Sequence, residues 1–82
     1  MRHLRDIAHP QFRISVFAWN NKFIVKFENG MLEQTYKISE LDVAGPEDVD
    51  TLLDPPFLEQ VSRRFQEMDA DWGASMERNG VS

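Results

Sequence analysis

Two tight-turn signals, Asn20-Asn21 and Asn29-Gly30, divide the stretch from Phe12 to Ile38 into three runs of β-type composition. A two-residue type I′ turn needs positive φ at both central positions, which Asn and Gly tolerate. An Asn-Gly pair between alternating apolar residues is therefore the strongest short-range sign of a hairpin. Strands joined by two-residue loops pair antiparallel, so the expected sheet is a three-stranded meander of order 1-2-3.

Each turn also dictates a register. A loop at Asn20-Asn21 sets Trp19 opposite Lys22, Phe17 opposite Ile24, Val16 opposite Val25 and Ile14 opposite Phe27. A loop at Asn29-Gly30 sets Glu28 opposite Met31, Phe27 opposite Leu32, Lys26 opposite Glu33 and Phe23 opposite Tyr36. Side chains alternate faces with period two. Both registers independently collect Ile14, Val16, Ala18, Phe23, Val25, Phe27, Leu32 and Tyr36 on one face, the expected core. The other face receives Arg13, Ser15, Phe17, Trp19, Lys22, Ile24, Lys26, Glu28, Met31, Glu33, Thr35 and Lys37.

The remaining chain reads as helices and connections in one small α+β domain. Residues 1–11 form an N-terminal segment in which Leu4 and Ile7 are spaced as one weak helical turn, closed by Pro10. After the meander of 12–38, Leu41 and Val43 are expected to bury while Glu40 and Asp42 face water. Gly45-Pro46-Glu47-Asp48 opens a short helix over 46–53, because proline suits the first helical position and carboxylates favour the positive end of the helix dipole. Asp54 caps a main helix over 55–72. There Phe57, Leu58, Val61, Phe65, Met68 and Trp72 recur three and four apart, the stripe a helix needs to lie on a sheet. Gly73 reads as the stop and 73–82 as a frayed tail.

Composition bounds the function. An 82-residue chain without cysteine has neither disulfides nor thiolate metal ligands to supplement a small core, and so fits a reducing cytoplasm. Its apolar runs are too short to span a bilayer, so no membrane association is expected. The net charge of −5 is unevenly divided: residues 1–37 hold six Lys and Arg against three acids, residues 38–82 three against eleven. A basic sheet neutralised by its own acidic helices accounts for this, and the acidic whole argues against non-specific binding to nucleic acid.

No pattern points to catalysis, a cofactor or a small-molecule substrate. Glu47, Asp48, Asp50 and Asp54 lack the ligand spacing of a calcium loop and read as helix-start carboxylates. His3 and His9 stand six apart in the N-terminal segment and read as solvated. Ser15, Ser39 and Ser62 lie in no nucleophile turn, and the four glycines are too scattered to cradle a phosphate.

The second sheet face is the unusual feature, since a solvated antiparallel face alternates to polar residues. Phe17, Trp19, Ile24 and Met31 on it point to a protein-interaction surface, most economically for a second copy of the chain in a homodimer. The N-terminal segment folding over the face is a second explanation. A third is a nucleic-acid platform in which Arg13, Lys22, Lys26 and Lys37 reach phosphates while Phe17 and Trp19 stack on bases. Glu28 and Glu33 interrupt that basic surface, which favours protein over nucleic acid.

Overall fold

The computed structural model describes residues 1–81 and shows an antiparallel sheet with two helices, an α+β fold. The sheet has four strands, not three: β1 (Arg2–Ile7), β2 (Arg13–Trp19), β3 (Lys22–Asn29) and β4 (Leu32–Ser39), in the order β1-β2-β3-β4. A 3-10 turn at Glu40–Asp42 leads to α1 (Pro46–Leu52) and α2 (Pro55–Arg78).

The extra strand comes from the N-terminal segment, and a bulge explains why its sequence hides it. Arg2 faces Ala18 and His3 faces Phe17, but the register then shifts at Leu4, so that Arg5 faces Val16 and Ile7 faces Ile14. One inserted residue lets Leu4 and Ile7 pack on the same core while standing three apart, which imitates a helical turn. β1 thus extends the sheet at its edge, and Leu4 and Ile7 pack on the core rather than over the second face.

The β2–β3 ladder has the register set by Asn20-Asn21, both with positive φ (52° and 62°). The β3–β4 ladder is displaced by two residues. Asn29 faces Leu32, the loop is Gly30-Met31, and only Gly30 has positive φ, which is the pattern of a II′ rather than a I′ turn. Because the displacement is even, every side chain within the paired strands keeps its face, while Met31 passes into the turn. The displaced register gives Ile38 a cross-strand partner in Phe23 and continues the ladder to a hydrogen bond from the Glu40 N–H to the Asn21 carbonyl.

The core lies between one sheet face and α2. Phe12, just before β2, and Ile14, Val16, Phe23, Val25 and Phe27 from the sheet meet Val49, Val61 and Phe65 from the helices. Phe27 is completely buried, with the rings of Phe12, Tyr36 and Phe57 edge-on at 5.6–5.9 Å. Gln34 is buried on this same face. Its Nε2 donates to the Val61 carbonyl and its Oε1 accepts from the Tyr36 hydroxyl, so both polar ends are satisfied.

Asp54 caps α2 by accepting from the Phe57 N–H, with Pro55 at the first helical position. The helix does not stop at Gly73 but runs through it to Arg78, because Ala70, Ala74, Met76, Glu77 and Arg78 are good helix formers that outweigh one glycine. The stop is Gly80, at φ +72°, where the Gly80 N–H donates to the Glu77 carbonyl and the Val81 N–H to the Met76 carbonyl. That is a Schellman arrangement, which requires the left-handed conformation glycine adopts freely. The expected frayed tail is therefore helix and cap as far as Val81; Ser82 lies outside the described residues. Leu41 does not bury: it is 94% exposed, since the 3-10 turn capped by Ser39 points it outward, whereas Val43 packs on the core.

Two stability measurements check this account. Phe27→Ala should lower the unfolding free energy by about 3–5 kcal/mol in urea denaturation, as expected for truncating a fully buried aromatic side chain. Gly73→Ala should raise it by about 0.5–1 kcal/mol, because Gly73 is inside the helix and an added Cβ meets nothing within 4 Å. No stabilisation there would mean that the helix breaks at Gly73 after all.

Candidate functional site

Both helices contribute to the core on one face of the sheet, leaving the other open. His3, Asp6, Arg13, Ser15, Phe17, Trp19, Lys22, Ile24, Lys26, Glu33, Thr35 and Lys37 share that open face by register. It contains two very different regions.

In the middle, the apolar residues are already covered by their polar neighbours. Ile24, expected as part of a contact surface, is only 3% exposed. Phe17 is half-buried, with the His3 ring edge-on at 5.3 Å and the Lys26 ammonium 5.5 Å from its ring centre. Lysine can lay its apolar stem along such a surface while its head stays in water and meets the ring's negative face. Strand periodicity marks Lys26 only as a charge on this face and does not reveal its contact with Phe17. Toward the β2–β3 turn the cover ends, and Trp19 is 53% exposed beside Lys22.

Met31 does not belong to this face. It sits 97% exposed in the β3–β4 turn and lines a cleft with Leu32, Phe65, Trp72 and Met76 on the helix side of the sheet. Of the four expected contact residues, the structure therefore groups Phe17 and Trp19, buries Ile24 beneath their neighbours and moves Met31 to another surface.

The charged residues form a chain of contacts across the face. Lys26 reaches Glu33 at 3.7 Å along a diagonal, since the displaced register puts Thr35 directly opposite it. Arg13 faces Glu28 by register but pairs with Asp6 of β1 at 3.7 Å. Asp6 also accepts from His3 at 2.8 Å. Lys22 and Lys37 enter no ion pair among the described residues.

His3 is thus bound to Asp6 and Phe17, and His9 stacks on Phe12 at 4.0 Å with its Nδ1 accepting from the Gln11 N–H. Three of the acids singled out near α1 have structural partners: Asp48 accepts from the Ala44 N–H, Asp50 from Arg5, and Asp54 caps α2. No helix is long and apolar enough to cross a membrane among the described residues.

The hydrogen bond from His3 holds the Asp6 carboxyl below its ordinary range, with the Ser15 hydroxyl and the charge of Arg13 acting in the same direction. A folded value below the unfolded one favours the fold at pH above the unfolded carboxylate range, and the contribution disappears as pH falls through the folded value. His3→Ala should move the Asp6 titration midpoint upward, followed by NMR of its carboxyl carbon. An unchanged midpoint would assign the effect to Ser15 and Arg13 instead.

No protein-family model, curated protein or solved structure matches this chain.

Proposed function

We propose that this protein is an interaction module that works by contact with another protein, and that the open sheet face around Trp19 and Phe17 is its recognition surface. The observation that carries the reading is the half-exposed Trp19 on a sheet face that both helices leave bare. Trp is among the residue types most enriched where binding energy concentrates, and here it stands beside the cross-strand pair of half-buried Phe17 and buried Ile24, with Lys22 opposite it. A neighbouring desolvated cluster and charged margin suit protein recognition better than they suit a small molecule, which needs a concave site.

The alternative, a nucleic-acid platform, draws on Lys22 and Lys37, whose ammonium groups enter no ion pair among the described residues. Lys26 and Arg13 are engaged by Glu33 and Asp6, which leaves few cations for phosphates.

The test is comparative capture from cell extract with wild type, a Phe17→Ser/Trp19→Ser variant and a Trp72→Ser variant as baits, each confirmed folded by circular dichroism. A protein held by wild type and Trp72→Ser, and lost with the double variant, is the expected result; equal recovery by all three would remove the open face from the reading. Labelled single- and double-stranded oligonucleotides titrated at low salt should show no binding. Binding that weakens steeply with added salt, and weakens further in Lys22→Ala, would favour the alternative.

A further inference from the structure

β4 is an edge strand of unusual sequence. The two-residue loop at Gly30-Met31 makes Asn29–Leu32 a hydrogen-bonded pair, after which bonded and non-bonded pairs alternate. The bond from the Glu40 N–H to the Asn21 carbonyl confirms the phase, since residue 40 has the parity of residue 32. Hence Leu32, Gln34, Tyr36 and Ile38 direct their backbone groups at β3, while those of Glu33, Thr35 and Lys37 point out of the sheet. β3 is the only strand paired with β4, and no turn, loop or cap hydrogen bond among the described residues uses those outward groups.

Read from either end about Thr35, the strand Leu32-Glu33-Gln34-Thr35-Tyr36-Lys37-Ile38 is chemically complementary to itself. A second copy laid antiparallel with Thr35 facing Thr35 sets Glu33 opposite Lys37, and Lys37 opposite Glu33. It also sets Gln34 opposite Tyr36, and Leu32 opposite Ile38. From this we infer that the protein forms a two-fold dimer by pairing β4 with β4 of a second copy, continuing one sheet across both chains.

The charges select that register. Centring the pair on residue 33 or residue 37 opposes like charges, and a one-residue slip turns polar side chains onto the core face. Lys37 lacks an ion-pair partner within the described chain, and the second copy supplies one. Glu33, already 3.7 Å from Lys26, then stands between two cations. On the helix side, Leu32 of the second copy arrives beside Ile38, at the margin of an apolar cleft of about 340 Å³ lined by Tyr36, Ile38, Leu52 and Phe57. The outward groups form three facing pairs, each exchanging two N–H···O=C bonds. The opposite edge is unsuited: β1 carries a bulge at Leu4, which disrupts the straight ladder a partner strand needs.

This pairing uses a different surface from the Trp19 face and stands or falls separately from it. Light scattering should give twice the 9.6 kDa chain mass for wild type. Thr35→Pro removes one outward N–H and no bond to β3, so it should yield a folded monomer. The Phe17→Ser/Trp19→Ser variant should remain dimeric. Lys37→Glu and Glu33→Lys, each like-charged at both ends of the strand, should be monomeric alone and recover the dimer mass when mixed. Monomeric wild type would overturn the inference while leaving the open-face reading to its own capture test. A dimer that survives Thr35→Pro, or folded charge variants that fail to associate on mixing, would also overturn it.

Discussion

Burial of Phe27 is the interaction on which the remaining structure depends. Its ring stands at the centre of the sheet and receives the edges of Phe12, Tyr36 and Phe57, which arrive from the start of β2, from β4 and from the first turn of α2. Phe12 passes the contact on to Phe65 two turns further along the helix. Edge-to-face aromatic pairs add about 0.5–1.5 kcal/mol each beyond their buried area and prescribe the angle at which rings meet. In a chain without disulfides, this group of rings determines how α2 lies on the sheet.

The same packing accounts for the β3–β4 register. Placing Gln34 opposite Phe27 brings its amide to the Val61 carbonyl and the Tyr36 hydroxyl, so a polar residue in the core has both ends satisfied. A carbonyl has two lone pairs, so Val61 can accept from Gln34 without giving up its helical bond. The accompanying cost is Glu28 facing Glu33, two like charges on an exposed part of the sheet. Their repulsion in water is small beside an unsatisfied amide in the core.

The two edges of the sheet differ in kind. β1 is irregular and tied down: its bulge breaks the outward ladder, and Arg5 donates to the Pro46 carbonyl and to Asp50, fastening the strand to α1. β4 is eight residues long and pairs without irregularity. Its residues Glu33 and Lys37 carry charge at the positions whose backbone groups point outward, which discourages indiscriminate pairing at this edge. The open face between the edges is moderated in another way, by the Lys26 ammonium set over the Phe17 ring.

The central hairpin, the division of the β2–β4 residues between two faces, the cap at Asp54 and the apolar stripe of α2 from Phe57 to Met68 were legible in the residues themselves, whereas Trp72, expected to continue that stripe, is 58% exposed. Each depends on local periodicity or on the φ of one or two positions, which neighbouring side chains dictate. The strand β1 was not legible, because a bulge gives Leu4 and Ile7 helical spacing and only Val16 and Ile14 across the ladder show them to be extended. Nor was the end of α2, although Asn79-Gly80 carried the signal: a glycine seven residues earlier looked equivalent until the hydrogen bonds of the cap distinguished them. At the candidate site, Trp19 could be read as exposed from its register, whereas the burial of Ile24 could not. Ile24 stands between Phe17 on one neighbouring strand and Lys37 on the other, and Lys26 lies 5.5 Å from the Phe17 ring, an arrangement between strands that no spacing along the chain encodes. Sequence by itself thus determined which face each paired residue of β2, β3 and β4 occupies; tertiary structure decided which of them water still reaches, because exposure depends on what neighbouring strands bring alongside.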